Sequence, residues 1–80
     1  MTRAIITVVG KDTSGIIAQV CTYLADNGIN ILDISQTIVQ EFFNMMMIVD
    51  LSKATKNFET LSNELQAVGN AKGVQAKIQL

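Results

Sequence analysis

Residues 3–20 read Arg-Ala-Ile-Ile-Thr-Val-Val-Gly-Lys-Asp-Thr-Ser-Gly-Ile-Ile-Ala-Gln-Val, and the change of apolar period within them decides the fold. Residues 3–9 are rich in β-branched side chains. Ala4, Ile6 and Val8 share one parity and are uniformly apolar, while Arg3 and Thr7 share the other with Ile5 and Val9. That pattern predicts a central strand ending at Gly10, with one buried face and one that is only partly wet. Asp12-Thr13-Ser14 then offers three possible helix N-caps. Ile16, Ile17, Val20, Cys21 and Leu24 follow at three- and four-residue steps, which is the stripe of an amphipathic helix. Asn27-Gly28 closes that helix, with Gly28 suited to the left-handed position just past its end.

Downstream, residues 30–39 form a second extended run. Its alternation is imperfect, because Ile31 falls on the opposite parity from Leu32, Ile34 and Ile38; a bulge, or an edge strand with both faces partly covered, accounts for this. Gln40-Glu41 is the expected turn, although it lacks the Asn-Gly or Asp-Gly usual in tight hairpins. In residues 42–51, Phe43, Met45, Met47, Val49 and Leu51 share one parity and predict a strand with a strongly apolar face. Asn57 is placed to cap a second helix bearing Phe58, Leu61, Leu65 and Val68, with Gly73 as its terminator. Residues 74–80 alternate without a fault and predict a last strand with one dry face.

The order is β-α-β-β-α-β. Right-handed crossovers place both helices on one face of a four-stranded antiparallel sheet, an α+β, ferredoxin-like arrangement formed by residues 1–80 as a single domain. The expected core is Ala4, Ile6, Val8, Ile17, Val20, Leu24, Phe43, Met45, Met47, Val49, Leu61, Leu65, Val74, Ala76 and Ile78.

Composition narrows the chemistry. The 80 residues hold 49% hydrophobic and 16% charged side chains, enough apolar material for a core. Six basic residues against seven acidic ones give a net charge of −1, and the basic residues are scattered. No clustered basic face for nucleic acid is visible. The longest apolar run, residues 45–49, is far short of the roughly 20 residues that span a bilayer. With no signal-peptide pattern and a lone Cys21, a cytoplasmic location is expected. The absence of histidine removes Ser–His and Cys–His pairs, and one thiol cannot build a zinc site. Neither a catalytic residue, a metal ligand nor a cofactor is expected. Residues 10–15 contain two glycines but lack the Lys-Ser/Thr that ends a phosphate loop. Acylphosphatase chemistry on this topology would need an arginine in the first loop, and the only arginine is Arg3, inside a strand. A binding module is favoured over an enzyme.

Local sequence then adds a resemblance. Val-Val-Gly-Lys-Asp followed by Thr-Ser-Gly-Ile-Ile-Ala-Gln-Val resembles the first strand and loop of ACT domains, the amino-acid-sensing modules of metabolic enzymes. Residues 24–31, Leu-Ala-Asp-Asn-Gly-Ile-Asn-Ile, resemble the end of their first helix and the start of their second strand. Asp33-Ile34-Ser35-Gln36, with Phe43-Asn44-Met45 and Val49-Asp50-Leu51, resembles a branch of stand-alone single-domain members similar to the glycine cleavage system repressor. The resemblance covers about residues 4–78. It implies a dimeric, non-catalytic regulatory domain whose small molecule lies between the first loop of one copy and the second strand of its partner. Carried over, it points to Asp12, Gly15, Ile16, Asn30 and Ile31 as ligand-site positions, with Thr13 and Ser14 adding hydroxyls.

The loop has the physical means for this. A helix N-terminus presents unpaired N–H groups and a partial positive charge that suit a carboxylate. Asp12 or the side-chain oxygen of Asn30 can accept from an ammonium. Two positions depart from the family pattern: Asp12 stands where amino-acid binders often have asparagine, and Ser14 where many have proline. Two plainer readings stand beside the site. Residues 12–15 also serve as an ordinary capped helix start, and Asn30 as a turn residue bonding its own backbone.

Ile5, Val9, Met46 and Ile48 fall on parities the helices do not cover, and the second strand is a candidate for edge pairing. Both point to a homodimer. The expected function is therefore a metabolite sensor, an amino acid being the expected ligand, acting on an unidentified protein partner. The alternative is a ligand-free adaptor that regulates an enzyme or transcription factor through its surface alone.

Overall fold

The computed structural model describes residues 2–11 and 15–80. Its elements are β1 (Arg3–Lys11), α1 (Ile16–Asp26), β2 (Asn30–Val39), β3 (Phe42–Asp50), α2 (Phe58–Ala71) and β4 (Val74–Gln79), in the order the sequence predicts. The strands form one antiparallel sheet in the order β2-β3-β1-β4. The two most apolar strands thus take the centre and leave β2 and β4 at the edges.

Cross-strand register explains which side is dry. Ala4, Ile6 and Val8 of β1 stand opposite Val49, Met47 and Met45 of β3, so all six project from one face. Ile78 and Ala76 of β4 join them opposite Ile6 and Val8. Val20 and Leu24 of α1, with Leu61 and Leu65 of α2, pack onto the same set, so both helices cover one face. The other face carries Ile5, Val9 and Met46 in the open, as expected, while Ile48, expected with them, is half-buried.

The expected core is corrected at two places. Ile16, not Ile17, is the fully buried residue of the first helical turn, because Ile16, Val20 and Leu24 repeat at i, i+4 directly over the sheet while Ile17 sits at the margin. Ile29, one residue before β2, is also buried. It is carried inward by the reversal at Gly28, whose φ is 72°. Cys21, expected to be buried on the same stripe, is only half-buried.

The ends of the elements follow local chemistry. Asn57 caps α2 by accepting from the Thr60 N–H at 2.8 Å. Gly73, left-handed at φ 74°, ends its trailing turn. The cap of α1 differs from expectation: the N-cap is Gly15, left-handed at φ 84° and without a side chain to cap with. Asp12, Thr13 and Ser14 lie outside the described residues. The expected irregularity in β2 is present as a register shift between Ile31 and Asp33, leaving Leu32 unpaired.

Candidate functional site

Among the described residues, those proposed to hold a ligand fall at opposite ends of the sheet, Gly15 and Ile16 at one and Asn30 and Ile31 at the other. Lys11, at the end of β1, pairs with Phe42 of β3, which pairs with Val39 of β2. Arg3, Asp50 and Asn30 form the corresponding row at the far end. Phe42 and Asp50 are the two ends of β3, so at about 3.4 Å per residue the rows stand roughly 27 Å apart. Gly15 follows the first row in the chain and Asn30 begins in the second. One copy of the protein does not bring them together.

At the Gly15 end, the start of α1 meets the end of α2. A Cβ on Gly15 would stand 3.7 Å from Lys72 Nζ, so this ammonium overlooks the helix start. Lys72 is the C-cap of α2 and carried no signal in the sequence that would mark it as a neighbour of the first loop. Ile16, a proposed site residue, is only 2% exposed as a whole residue, so it presents almost no surface to a ligand and acts here as core at the first turn of α1.

At the Asn30 end the geometry is built by the turn after α1. The Asn27 side-chain amide donates to the Tyr23 carbonyl at 2.8 Å, and the Asn27 carbonyl accepts from the Thr55 N–H at 3.1 Å. The loop after β3 is thereby tied to the end of α1. Gly28 lets it settle closer still, since a Cβ there would collide with the Lys53 carbonyl. The result is an open depression of about 450 Å³ lined by Gly28, Ile29, Asn30, Asp50 and Lys53. Ile31 is half-buried and packs against the core, while Asn30 is exposed at the rim.

Asp50 and Lys53 were not among the expected site residues. Asp50 Oδ1 accepts from the Ser52 hydroxyl at 2.6 Å and from the Ser52 N–H at 2.9 Å. Those bonds, the hydroxyl's first, hold its carboxyl below the usual carboxylate range. The depression thus offers a fixed carboxylate, an ammonium and the Asn30 amide, a set that matches polar and charged groups of either sign. Among the described residues no group of three or more histidine, cysteine, aspartate or glutamate side chains is arranged to hold a metal ion. Nor is any helix among them long and apolar enough to cross a membrane.

Comparison with known proteins fits this architecture. A UPF0237 protein of Bifidobacterium longum is 54% identical over 79 residues, covering 99% of this chain and 88% of the relative. The solved structure of an ACT domain protein from Streptococcus pneumoniae superposes with a TM-score of 0.85 at 49% identity, covering 96% of this chain and 86% of that one. A structure solved for a candidate glycine cleavage system transcriptional repressor gives a TM-score of 0.82 at 22% identity, covering 96% of this chain and 44% of that one; that likeness is one of fold. The family model for the ACT domain matches residues 2–79, and the chain belongs to the ACT domain family.

Proposed function

We propose that the chain is a non-catalytic regulatory domain that binds an amino acid at a homodimer interface and through it modulates a partner protein. The observation that carries this reading is the separation of Gly15 from Asn30 at the two ends of the sheet. Antiparallel pairing of β2 with β2 of a second copy would set the Asn30 end of one against the Gly15 end of the other. A ligand's carboxylate would then face the α1 N-terminus, and its ammonium the Asn30 side-chain oxygen.

The two sheet edges differ in a way that favours β2 for this pairing. β4 is six residues long and sets Lys77 between two outward glutamines, a short and charged edge of the kind that resists pairing. β2 is ten residues long, holds no lysine or proline, and leaves Ile34 and Ile38 exposed on the side of the sheet that the helices occupy. An open, apolar edge of that length invites a strand.

Thermal melts of the purified protein against the twenty amino acids test the reading. A ligand at 100 times its dissociation constant adds about 2.7 kcal/mol, several degrees at this size. One amino acid should raise the melting temperature, and Asn30→Ala should abolish that rise without lowering the ligand-free melting temperature. A shift that survives Asn30→Ala, or a protein that sediments as a monomer with ligand bound, would overturn it.

A further inference from the structure

The turn between β2 and β3 is a strongly exposed apolar feature of the described residues. Ile38, Val39 and Phe42 are 60%, 63% and 59% exposed around Gln40 and Glu41. Gln40 takes a positive φ of 57°, which only a few per cent of non-glycine residues adopt. Turn chemistry alone would favour glycine or asparagine here, yet the sequence sets a long amide and a carboxylate at the tip. Glu41 makes a weak contact, 3.9 Å to Lys11, with both side chains largely in solvent.

The depression at the opposite end of the sheet carries one group that complements Glu41, Lys53, beside an Asp50 carboxylate already held by Ser52. Lys53 is exposed on its rim and is fixed there by the close approach of its backbone to Gly28. If β2 pairs antiparallel with β2 about a two-fold axis between Ile34 and Ser35, Asn30 stands opposite Val39 of the other copy. The next residues along that copy are Gln40 and Glu41, and they run beside Ile29 and Gly28. In that register the turn carrying Glu41 meets the end of the sheet that carries Lys53, twice by symmetry.

We propose that the depression lined by Gly28, Asn30, Asp50 and Lys53 is occupied by the β2–β3 turn of a second copy, with Glu41 of that copy paired to Lys53. This rests on the homodimer reading above and assigns the contacts that set its register. Each site containing Asn30 is then closed along the sheet edge by the other protomer, so ligand affinity and dimerisation are linked.

Charge reversal at both positions tests the pairing, read as the dimer dissociation constant by sedimentation of the full chain at low ionic strength. Lys53→Glu and Glu41→Lys should each raise the constant, by about threefold to thirtyfold, and the effect should shrink in 1 M salt. The double variant should return to within about twofold of the parent. Glu59→Lys, on the exposed side of α2, is the control and should change nothing. Single reversals no stronger than the control, a double variant weaker than either single, or reversals that alter amino-acid binding but not association would each overturn the inference while leaving the dimer reading intact. A chain monomeric at every concentration would remove both.

Discussion

The Tyr23 hydroxyl on α1 donates to Glu64 Oε1 on α2 at 2.9 Å, and Lys56 Nζ donates to the same oxygen at 2.8 Å. This contact clasps the two helices to each other. Burial pushes the Tyr23 phenol well above its ordinary 10.0, with the Glu64 carboxylate adding to the shift by accepting its hydrogen bond and by its charge. Lys56 first, and Tyr23 second, hold the Glu64 carboxyl below its usual range.

A phenol whose folded pKa is raised stabilises the fold fully below its unfolded value of 10.0 and loses that contribution as pH rises toward the folded value. Urea unfolding from pH 8 to 11.5 should show stability falling from about pH 10 upward. Tyr23→Phe should lose about 0.5–1.5 kcal/mol at pH 8 and show a flatter decline. Parallel slopes for the two proteins would mean that the hydroxyl does not titrate against the fold.

The glycines at Gly28 and Gly73 share a left-handed backbone, with φ 72° and 74°, but not a setting. A Cβ at Gly73 meets nothing within 4 Å, whereas one at Gly28 runs into the Lys53 carbonyl. Gly73→Ala should cost only the left-handed penalty, about 1–2 kcal/mol. Gly28→Ala adds displacement of the loop after β3 and should cost clearly more in chemical denaturation. Equal losses would show that the loop moves aside freely.

That loop also marks where the sequence stopped being legible. The elements and the sheet's dry face could be read because period-two and helical patterns report directly on burial, as in β4 and along Phe43 to Val49. The choice of Ile16 over Ile17 could not, since both lie on the apolar stripe and their difference arises from how the helix is set on the sheet. Asn30 was readable as a site candidate through its neighbours in the chain. Lys53 and Lys72 were not, because each reaches its place through a contact across the fold, one against Gly28 and the other over Gly15. The role of Asp50 as the acceptor of two Ser52 hydrogen bonds is likewise set by the turn after β3 and not by any sequence period.

Asp50 yields a test in acid. Its depressed pKa, due first to the Ser52 hydroxyl and then to the Ser52 N–H, stabilises the fold above the ordinary carboxylate value and is lost as pH falls through the folded one. Asp50→Asn should lower the melting temperature at pH 7. The gap to the parent should close as the pH falls below about 4. Ser52→Ala should reproduce part of the effect. A gap that stays constant to pH 2.5 would mean the carboxylate is stabilised no better in the fold than in the unfolded chain.

Ile34 and Ile38 separate the energetics of folding from those of association. Both lie opposite core residues, Met47 and Phe43, yet remain 45% and 60% exposed because the helices do not reach across β2. Replacing either with serine removes little that the isolated protomer buries, so monomer stability should change by about 0.5 kcal/mol or less. In a two-fold interface each isoleucine counts twice, and fully burying one such side chain is worth about 1.5–3 kcal/mol. Ile34→Ser and Ile38→Ser should therefore weaken the dimer far more than they weaken the fold. Leu65→Ala, at a site 1% exposed in the core, should do the reverse and cost about 2–5 kcal/mol in unfolding. Sedimentation and denaturation on the same three variants distinguish the two effects. If the serine variants lose fold stability while association is unchanged, β2 is covered by something other than a second β2.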